Sequence, residues 1–179
     1  MESVTTTVRP ATAADAAVLA ELAAITFPLA CPPHTTPEAI ASFIAENLSE
    51  VHFDRYLADP SRTLLLAEVG GESAGYAMLI GGDPTDPDAA AAVTVRPTIE
   101  LSKFYLMPGH HGTGVAAILM AAALEMARES GATSVWLGVN EENERANRFY
   151  AKNGFIEVGR KHFTVGDRVE NDFVRLAIL

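Results

Sequence analysis

Residues 98–139 hold the pattern that most limits the fold. An apolar strand-like run, Thr98 to Met107, leads into a loop containing Gly109, Gly112 and Gly114. The strongly apolar segment Val115 to Ser130 follows with helical spacing, and Gly131 stands where a helix C-terminal cap is expected. Thr133 to Val139 is a second continuous apolar run, the mark of a buried strand. Strand, helix and strand in that order form the core of a mixed α/β fold.

The rest of the chain supplies further elements. Val4 to Arg9 reads as a short first strand, and Thr12-Ala-Ala-Asp15 as a capping box. The helix it opens carries Val18, Leu19, Leu22 and Ile25 on one face. Phe27 to Thr35, with Pro28, Pro32 and Pro33, reads as a loop. Thr36-Pro37-Glu38 then places a cap, a proline at the first helical position and an acid at the positive helix end. The helix it starts spaces Ile40, Phe43, Ile44 and Leu48 on one side, and a third helix covers Val51 to Leu57. Thr63 to Val69 and Ser73 to Ile80 form a hairpin across Gly70-Gly71. Gly81 to Ala92, with its Asp-Pro pairs, reads as a flexible excursion. Asn143 to Lys152 is a short helix, and Phe155 to Val165 with Val169 to Leu179 closes the chain as a hairpin around Gly166-Asp167. With no repeat and no linker, residues 1–179 read as one domain.

Composition narrows the function classes. A chain of 179 residues that is 49% hydrophobic buries a core without a disulfide or a metal staple. The single cysteine, Cys31, has no internal disulfide partner and fits a reducing cytoplasm. A net charge of −10 repels phosphate backbones, so no nucleic-acid partner is expected, and it tolerates cationic molecules such as amines. No uncharged apolar run reaches the roughly 18–20 residues of a membrane span. Glu2 and the lack of an apolar core argue against a signal peptide. The expectation is a cytoplasmic domain with no membrane partner.

The loop His110-His111-Gly112-Thr113-Gly114-Val115-Ala116 carries the chemistry. The first N–H groups of a helix lack internal partners, and the helix dipole favours an anion there. Glycines let a phosphate approach the backbone. The loop therefore predicts a pyrophosphate site, although a glycine pair alone is not specific. A nucleotide-hydrolysing P-loop needs Gly-Lys-Ser/Thr and is excluded by Val115 and Ala116. Gly112-Thr-Gly114-Val-Ala-Ala117 fits the looser dinucleotide pattern, which would make an NAD-dependent oxidoreductase. Only about 40 residues follow the next strand, too few for a doubly wound nucleotide domain.

His111-Gly-Thr-Gly114-Val-Ala116 also resembles the acyl-CoA loop of the GNAT acyltransferases, Gln/Arg-x-x-Gly-x-Gly/Ala. Asn143-Glu-Arg-Ala146-Asn-Arg-Phe149-Tyr150-Ala-Lys-Asn-Gly154-Phe155 resembles that family's Asn-x-x-Ala-x-x-Phe-Tyr-x-x-x-Gly-Phe signature, in the right order and at the right spacing. Trp136-Leu-Gly-Val139, His162-Phe-Thr-Val-Gly166-Asp167 and Asp172 resemble the PaiA type of spermidine/spermine N-acetyltransferase. One departure is His111, which stands where the family usually has Gln or Arg.

The resemblance implies a single α/β domain with a mixed, twisted sheet splayed at its centre and flanked by helices. It implies acetyl-CoA as co-substrate and a small-molecule primary amine, a polyamine first, as acceptor. By position, Glu100 would be the general base and Tyr150 the general acid that protonates the leaving thiolate. Phe104, Tyr105 and Leu106 would align the pantetheine arm, with Asn143 bonding the same arm. His111, Gly112, Thr113, Gly114, Val115 and Ala116 would hold the pyrophosphate. Plainer readings stand beside these. Glu100 is equally an ordinary strand-end carboxylate, Tyr150 a core tyrosine, and Asn143 a helix cap. Phe27, His34, Phe43, His52 and Tyr56 lie on segments that cover the acceptor site in this fold class, and their roles stay unresolved. No metal is expected, since His110 and His111 are adjacent and no other ligand spacing occurs. By analogy, Val169 to Leu179 could pair with a second copy in a homodimer. A non-catalytic acyl-CoA sensor and a protein N-acetyltransferase are the alternatives.

Overall fold

The computed structural model of the chain describes residues 4–179; Glu2, on which the reading of the N-terminus leaned, lies outside them. Seven strands form one sheet in the order β1-β2-β3-β4-β5-β7-β6. They are β1 (Thr6–Pro10), β2 (Arg62–Val69), β3 (Glu72–Gly81), β4 (Thr98–Leu106), β5 (Ser134–Asn140), β6 (Ile156–Val165) and β7 (Arg168–Ile178). Among the described residues, six α-helices connect or cover them: α1 (Ala16–Ala30), α2 (Pro37–Asn47), α3 (Glu50–Ala58), α4 (Pro87–Ala92), α5 (Val115–Glu129) and α6 (Glu144–Lys152).

Period-two alternation assigns side chains to the two faces of the sheet. Leu65, Ala67, Ala77, Leu79, Val135 and Leu137 point to one face, where Leu119, Met120 and Ala123 of α5 cover them. Leu64, Leu66, Tyr76 and Met78 point to the other, under Leu19, Leu22 and Phe27 of α1 and Phe53 of α3. Each fully buried side chain of this size contributes about 1.5–3 kcal/mol relative to exposure. Farther along that second face, Ala89 and Val93 pack on Trp136, Val174 and Leu176.

Every neighbouring pair of strands is antiparallel except β4 and β5, which run parallel. That parallel pair joins only at Thr98–Ser134, Ile99–Val135 and Glu100–Trp136. From Leu101 onward β4 continues against β3 alone, and from Leu137 onward β5 continues against β7 alone. The sheet is splayed at its centre, as expected. Within β4, Met78 pairs with Lys103 and Leu79 with Leu101, so Ser102 is the extra residue of a β-bulge.

Some local expectations are corrected. The first helix does not end at Phe27 but runs through Pro28 to Ala30. A proline this close to a C-terminus forfeits few bonds of the helix ladder, and Phe27 is held by stacking on Phe43 at 4.5 Å. Its buried face is Leu19, Leu22, Ala23 and Phe27, leaving Ile25 exposed. Gly81 to Ala92 holds α4, started by Asp86, whose carboxylate accepts from the N–H groups of Asp88 and Ala89. The Asp-Pro pair that looked like a breaker is an N-cap followed by a proline at the first helical position. The final strand, β7, lies between β5 and β6 with both edges used, so the free edges belong to β1 and β6. Residues Ala13–Ala30 form one helical stretch long and apolar enough to cross a membrane by length and composition. In the fold it carries Asp15 and Glu21 and lays its apolar face on the core.

Candidate active site

The site is built where β4 and β5 part. At one end of the gap, the loop after β4 turns through Gly109, Gly112 and Gly114, all with φ between 77° and 90°, a region open to glycine and strained for other residues. Gly114 is the N-cap of α5, and no side chain caps the helix. The first amides of α5 are therefore left for an external acceptor. A Cβ built on Gly112 or Gly114 would meet nothing within 4 Å, so the space over the loop is open. The Thr113 hydroxyl donates to the His110 carbonyl at 2.7 Å within the exposed loop. His111 is exposed, and partial burial, Arg145 and His110 together lower its pKa. Arg145, on α6, therefore adds positive charge near the loop. Free amides, open space and nearby cations fit a pyrophosphate.

α6 forms one wall of the gap. Asn143 caps it, accepting from the Ala146 N–H at 3.2 Å, so the plainer reading of Asn143 holds. Tyr150 packs edge-on against Phe104 at 6.3 Å and Phe155 at 5.8 Å. Its hydroxyl forms no hydrogen bond among the described residues, and burial, then Tyr105, raises its pKa well above that of a free phenol. Phe104 stacks on Phe149 at 5.5 Å, while Leu106 is buried beneath α5. Tyr105 points to the opposite face beside Tyr76, and burial pushes its hydroxyl up to about 12.

The bulge at Ser102 determines what faces the acceptor side. Ile99 and Leu101 lie under α5, and beyond the bulge so do Phe104 and Leu106. Glu100, Lys103 and Tyr105 consequently share the other face, although a regular strand would separate Glu100 from Lys103. Burial raises the Glu100 pKa against the opposing charges of Lys161, Lys103 and Arg62. Burial also pushes Lys103 down to about 8. Arg62 and Lys103 both lie over the Tyr56 ring, at 4.8 Å and 5.8 Å. Lys161 reaches from β6 to Asp172 of β7 at 3.5 Å, both nearly buried.

The first helices meet this face from above. Phe27 and Phe43 stack, and Phe43 touches Phe163 edge-on at 5.5 Å. His52 is occupied within α3, bonded to Ser49 Oγ at 2.6 Å. His34 holds Glu170 at 2.5 Å through Nε2 and faces Glu142 at 3.6 Å through Nδ1. Their ligand atoms lie within 4.8 Å of one another, a grouping no sequence spacing could reveal. The two carboxylates face opposite ring nitrogens, which makes a clamp on the imidazole instead of a chelate on one nitrogen. A cavity of about 170 Å³ opens beside it, lined by Leu29, Cys31, Asn140 and Asn143 among others. Burial pushes the Cys31 thiol up to about 11, so it stays protonated near neutral pH and is a poor nucleophile.

Lys103 and Lys161 are absent from the site read in the sequence. A signal for Lys103 was present: the buried positions of β4 change parity from 99 and 101 to 104 and 106, which marks a bulge.

Comparison with known proteins agrees with this geometry. Residues 24–155 match the model of the acetyltransferase (GNAT) family. An uncharacterized N-acetyltransferase of Mycobacterium tuberculosis is 52% identical over 160 residues, covering 89% of this chain and 95% of that protein. One from Lactobacillus delbrueckii subsp. lactis is 32% identical over 140 residues, covering 78% of each chain. Among solved structures, the PaiA N-acetyltransferase of Thermoplasma acidophilum in complex with coenzyme A superposes with a TM-score of 0.77 at 20% identity, over 98% of this chain and 99% of that one. A family signature at both ends of the gap, and a relative identical at half of the aligned positions, lead to one assignment: the chain belongs to the GNAT acetyltransferase family.

Proposed function

We propose that the protein transfers an acetyl group from acetyl-CoA to the primary amine of a small molecule, with Glu100 as general base and Tyr150 as general acid. The observation that carries this reading is the gap between β4 and β5, with free amides at its loop end, Glu100 on the β4 strand that borders it and Tyr150 on α6 packed against Phe104 of that strand. Acetyl-CoA supplies an activated acetyl thioester. The first-turn amides of Val115 and Ala116, with Gly112 and Gly114 leaving room, suit its pyrophosphate, and His111 and Arg145 add positive charge. The β4 edge at Phe104 to Leu106 has no strand partner on the gap side and suits an extended amide-bearing arm. Asn143 spends its carbonyl on the helix cap and keeps its amide N–H groups for that arm.

An ammonium has no lone pair, so the acceptor must lose a proton before or during attack. Glu100, half-buried with its pKa raised, is closer in affinity to an amine than an ordinary carboxylate and accepts that proton directly or through water. The new C–N bond forms as the C–S bond breaks, and the Tyr150 hydroxyl gives its proton to the departing sulfur. Fixing both reactants in one gap supplies much of the acceleration. A cytoplasmic setting suits the free Cys31 thiol and the co-substrate.

The test is amine-dependent release of free thiol from acetyl-CoA, beside binding of acetyl-CoA measured by calorimetry. Thiol release that falls sharply in Tyr150→Phe, with binding intact, supports the reading. Binding without turnover on any amine favours the sensor, and no binding overturns the proposal.

A further inference from the structure

The charges facing Glu100 are not those a polycation would meet. Three cations lie around it on the acceptor face: Arg62, Lys103 and Lys161. Arg62 is matched by Asp59 at 3.1 Å, and Lys161 by Asp172 at 3.5 Å. Lys103 has no carboxylate within 4 Å among the described residues, and Glu100 has no cation within that distance. The other nearby acids are already engaged: Asp86 caps α4 and Glu170 holds His34. The Glu100 carboxylate and the Lys103 ammonium, neither in an ion pair within 4 Å among the described residues, thus share a face, held there by the bulge at Ser102.

We infer that the acceptor is an amine that also carries an anionic group, a carboxylate or its equivalent, with the amine facing Glu100 and the anion bound by Lys103. This inference rests on the acetyltransferase reading above and names the substrate class. A zwitterionic acceptor brings a proton donor to Glu100 and an anion to Lys103, so neither charge is left desolvated alone. A polyamine would instead set its second ammonium near Lys103, whose like charge repels it. The partial burial of Lys103, which pushes it down to about 8, is the cost an arriving anion offsets. The surface charge of −10 is spread over the whole molecule, whereas recognition depends on the groups within a few ångströms of the amine.

The test uses the whole chain and acetyl-CoA, with thiol release measured on α- and ω-amino acids, on the carboxamide of each, and on spermidine. The carboxamide keeps the shape and removes the charge. An α-carboxamide also makes its amine less basic and more often neutral, so basicity cannot explain a preference for the α-acid. The expected result is a kcat/KM for the acid about 10- to 100-fold above its carboxamide. In Lys103→Met that ratio falls to about one, in Lys103→Arg most of it returns, and the loss appears in the acceptor KM while the acetyl-CoA KM holds. Carboxamides or spermidine used as well as the acids, or a ratio unmoved in Lys103→Met, overturn the inference and leave the acetyltransferase standing. Thiol release from none of these amines, with acetyl-CoA bound, counts against both. If Lys103→Met does not fold, the wild-type ratio of acid to carboxamide decides.

Discussion

Gly138 and Lys161 share one space: a Cβ on Gly138 would run into Cε of Lys161 and come within 3.2 Å of Asp172 Oδ2. Lys161 stands on β6, Asp172 on β7 and Gly138 on β5, so the lysine lies across the sheet and ends over a strand that offers no side chain there. The obstacle is the far end of a flexible side chain, so Gly138→Ala should leave the fold within about 1 kcal/mol of wild type. It should move Lys161 off Asp172 and raise the acceptor KM. Thermal melting and steady-state kinetics on the same sample separate the two effects.

Tyr150 tests the chemistry with little risk to the fold, because its hydroxyl has no hydrogen-bond partner among the described residues while its ring is packed by three aromatics. Tyr150→Phe should lower kcat by about 100-fold or more, the usual scale of a lost general acid. Acetyl-CoA affinity and melting temperature should hardly change. A variant that keeps full kcat removes Tyr150 from the mechanism.

Activity should depend on pH through two groups on one strand. Burial raises Glu100, so the base form is lost on acidification at a pH above the ordinary carboxylate range, and kcat/KM falls there. Glu100→Gln should lower activity and remove that limb. Lys103, pushed down to about 8, loses its charge as pH rises through that value, which should raise the KM of an anionic acceptor. Lys161, Arg62 and Asp86 act on Glu100, while Glu100 and Arg62 act on Lys103. In Lys103→Arg the alkaline rise in KM should vanish, because guanidinium stays charged.

At the pyrophosphate loop, Gly114 has φ 90° as the cap of α5, and Gly112 has φ 77°. Gly114→Ala or Gly112→Ala should cost about 1–2 kcal/mol in backbone strain. Either should weaken acetyl-CoA binding about tenfold or more, since the methyl group enters the open space above the amides. Calorimetry and melting curves give the two numbers.

Arg9 holds both oxygens of Asp15 at 2.9 Å, and the Thr12 N–H adds a third bond, which together bring the Asp15 pKa down to about 2. A depressed carboxylate stabilises the fold above its unfolded pKa of about 3.8, and that stability disappears as pH falls from there toward 2. The shift corresponds to about 1–2 kcal/mol after allowing for solvent around Arg9, which is 43% exposed. Asp15→Asn should be less stable at pH 7 by that amount, with the difference closing as pH falls through 2, by denaturant titration.

The succession of elements along the second half and the loop at Gly112 could be read from residues alone, because apolar runs and helix-start glycines are local signals. The match of Asn143 to Phe155 located α6 for the same reason. Lys103 and Lys161 could not be placed that way. Whether Lys103 faces the base depends on one extra residue at Ser102, and Lys161 meets Asp172 through pairing of β6 with β7. His34 and Glu170 are 136 positions apart, and only the fold brings them into contact. The proline-rich stretch after Phe27 misled for a related reason: aromatic stacking on Phe43 outweighs the local preference of Pro28 to end a helix.

The three-pair seam between β4 and β5 has a consequence for how the molecule breathes. Two antiparallel half-sheets, β1–β4 and β5–β7, are held edge to edge by residues 98–100 and 134–136. Backbone amides past the seam, in 101–106 and 137–140, have one neighbour fewer than those within it. They should be the sheet amides whose deuterium uptake changes most when acetyl-CoA is added. A bound acyl carrier would act there as a removable strand, and the rigidity of this sheet would then follow the supply of its co-substrate.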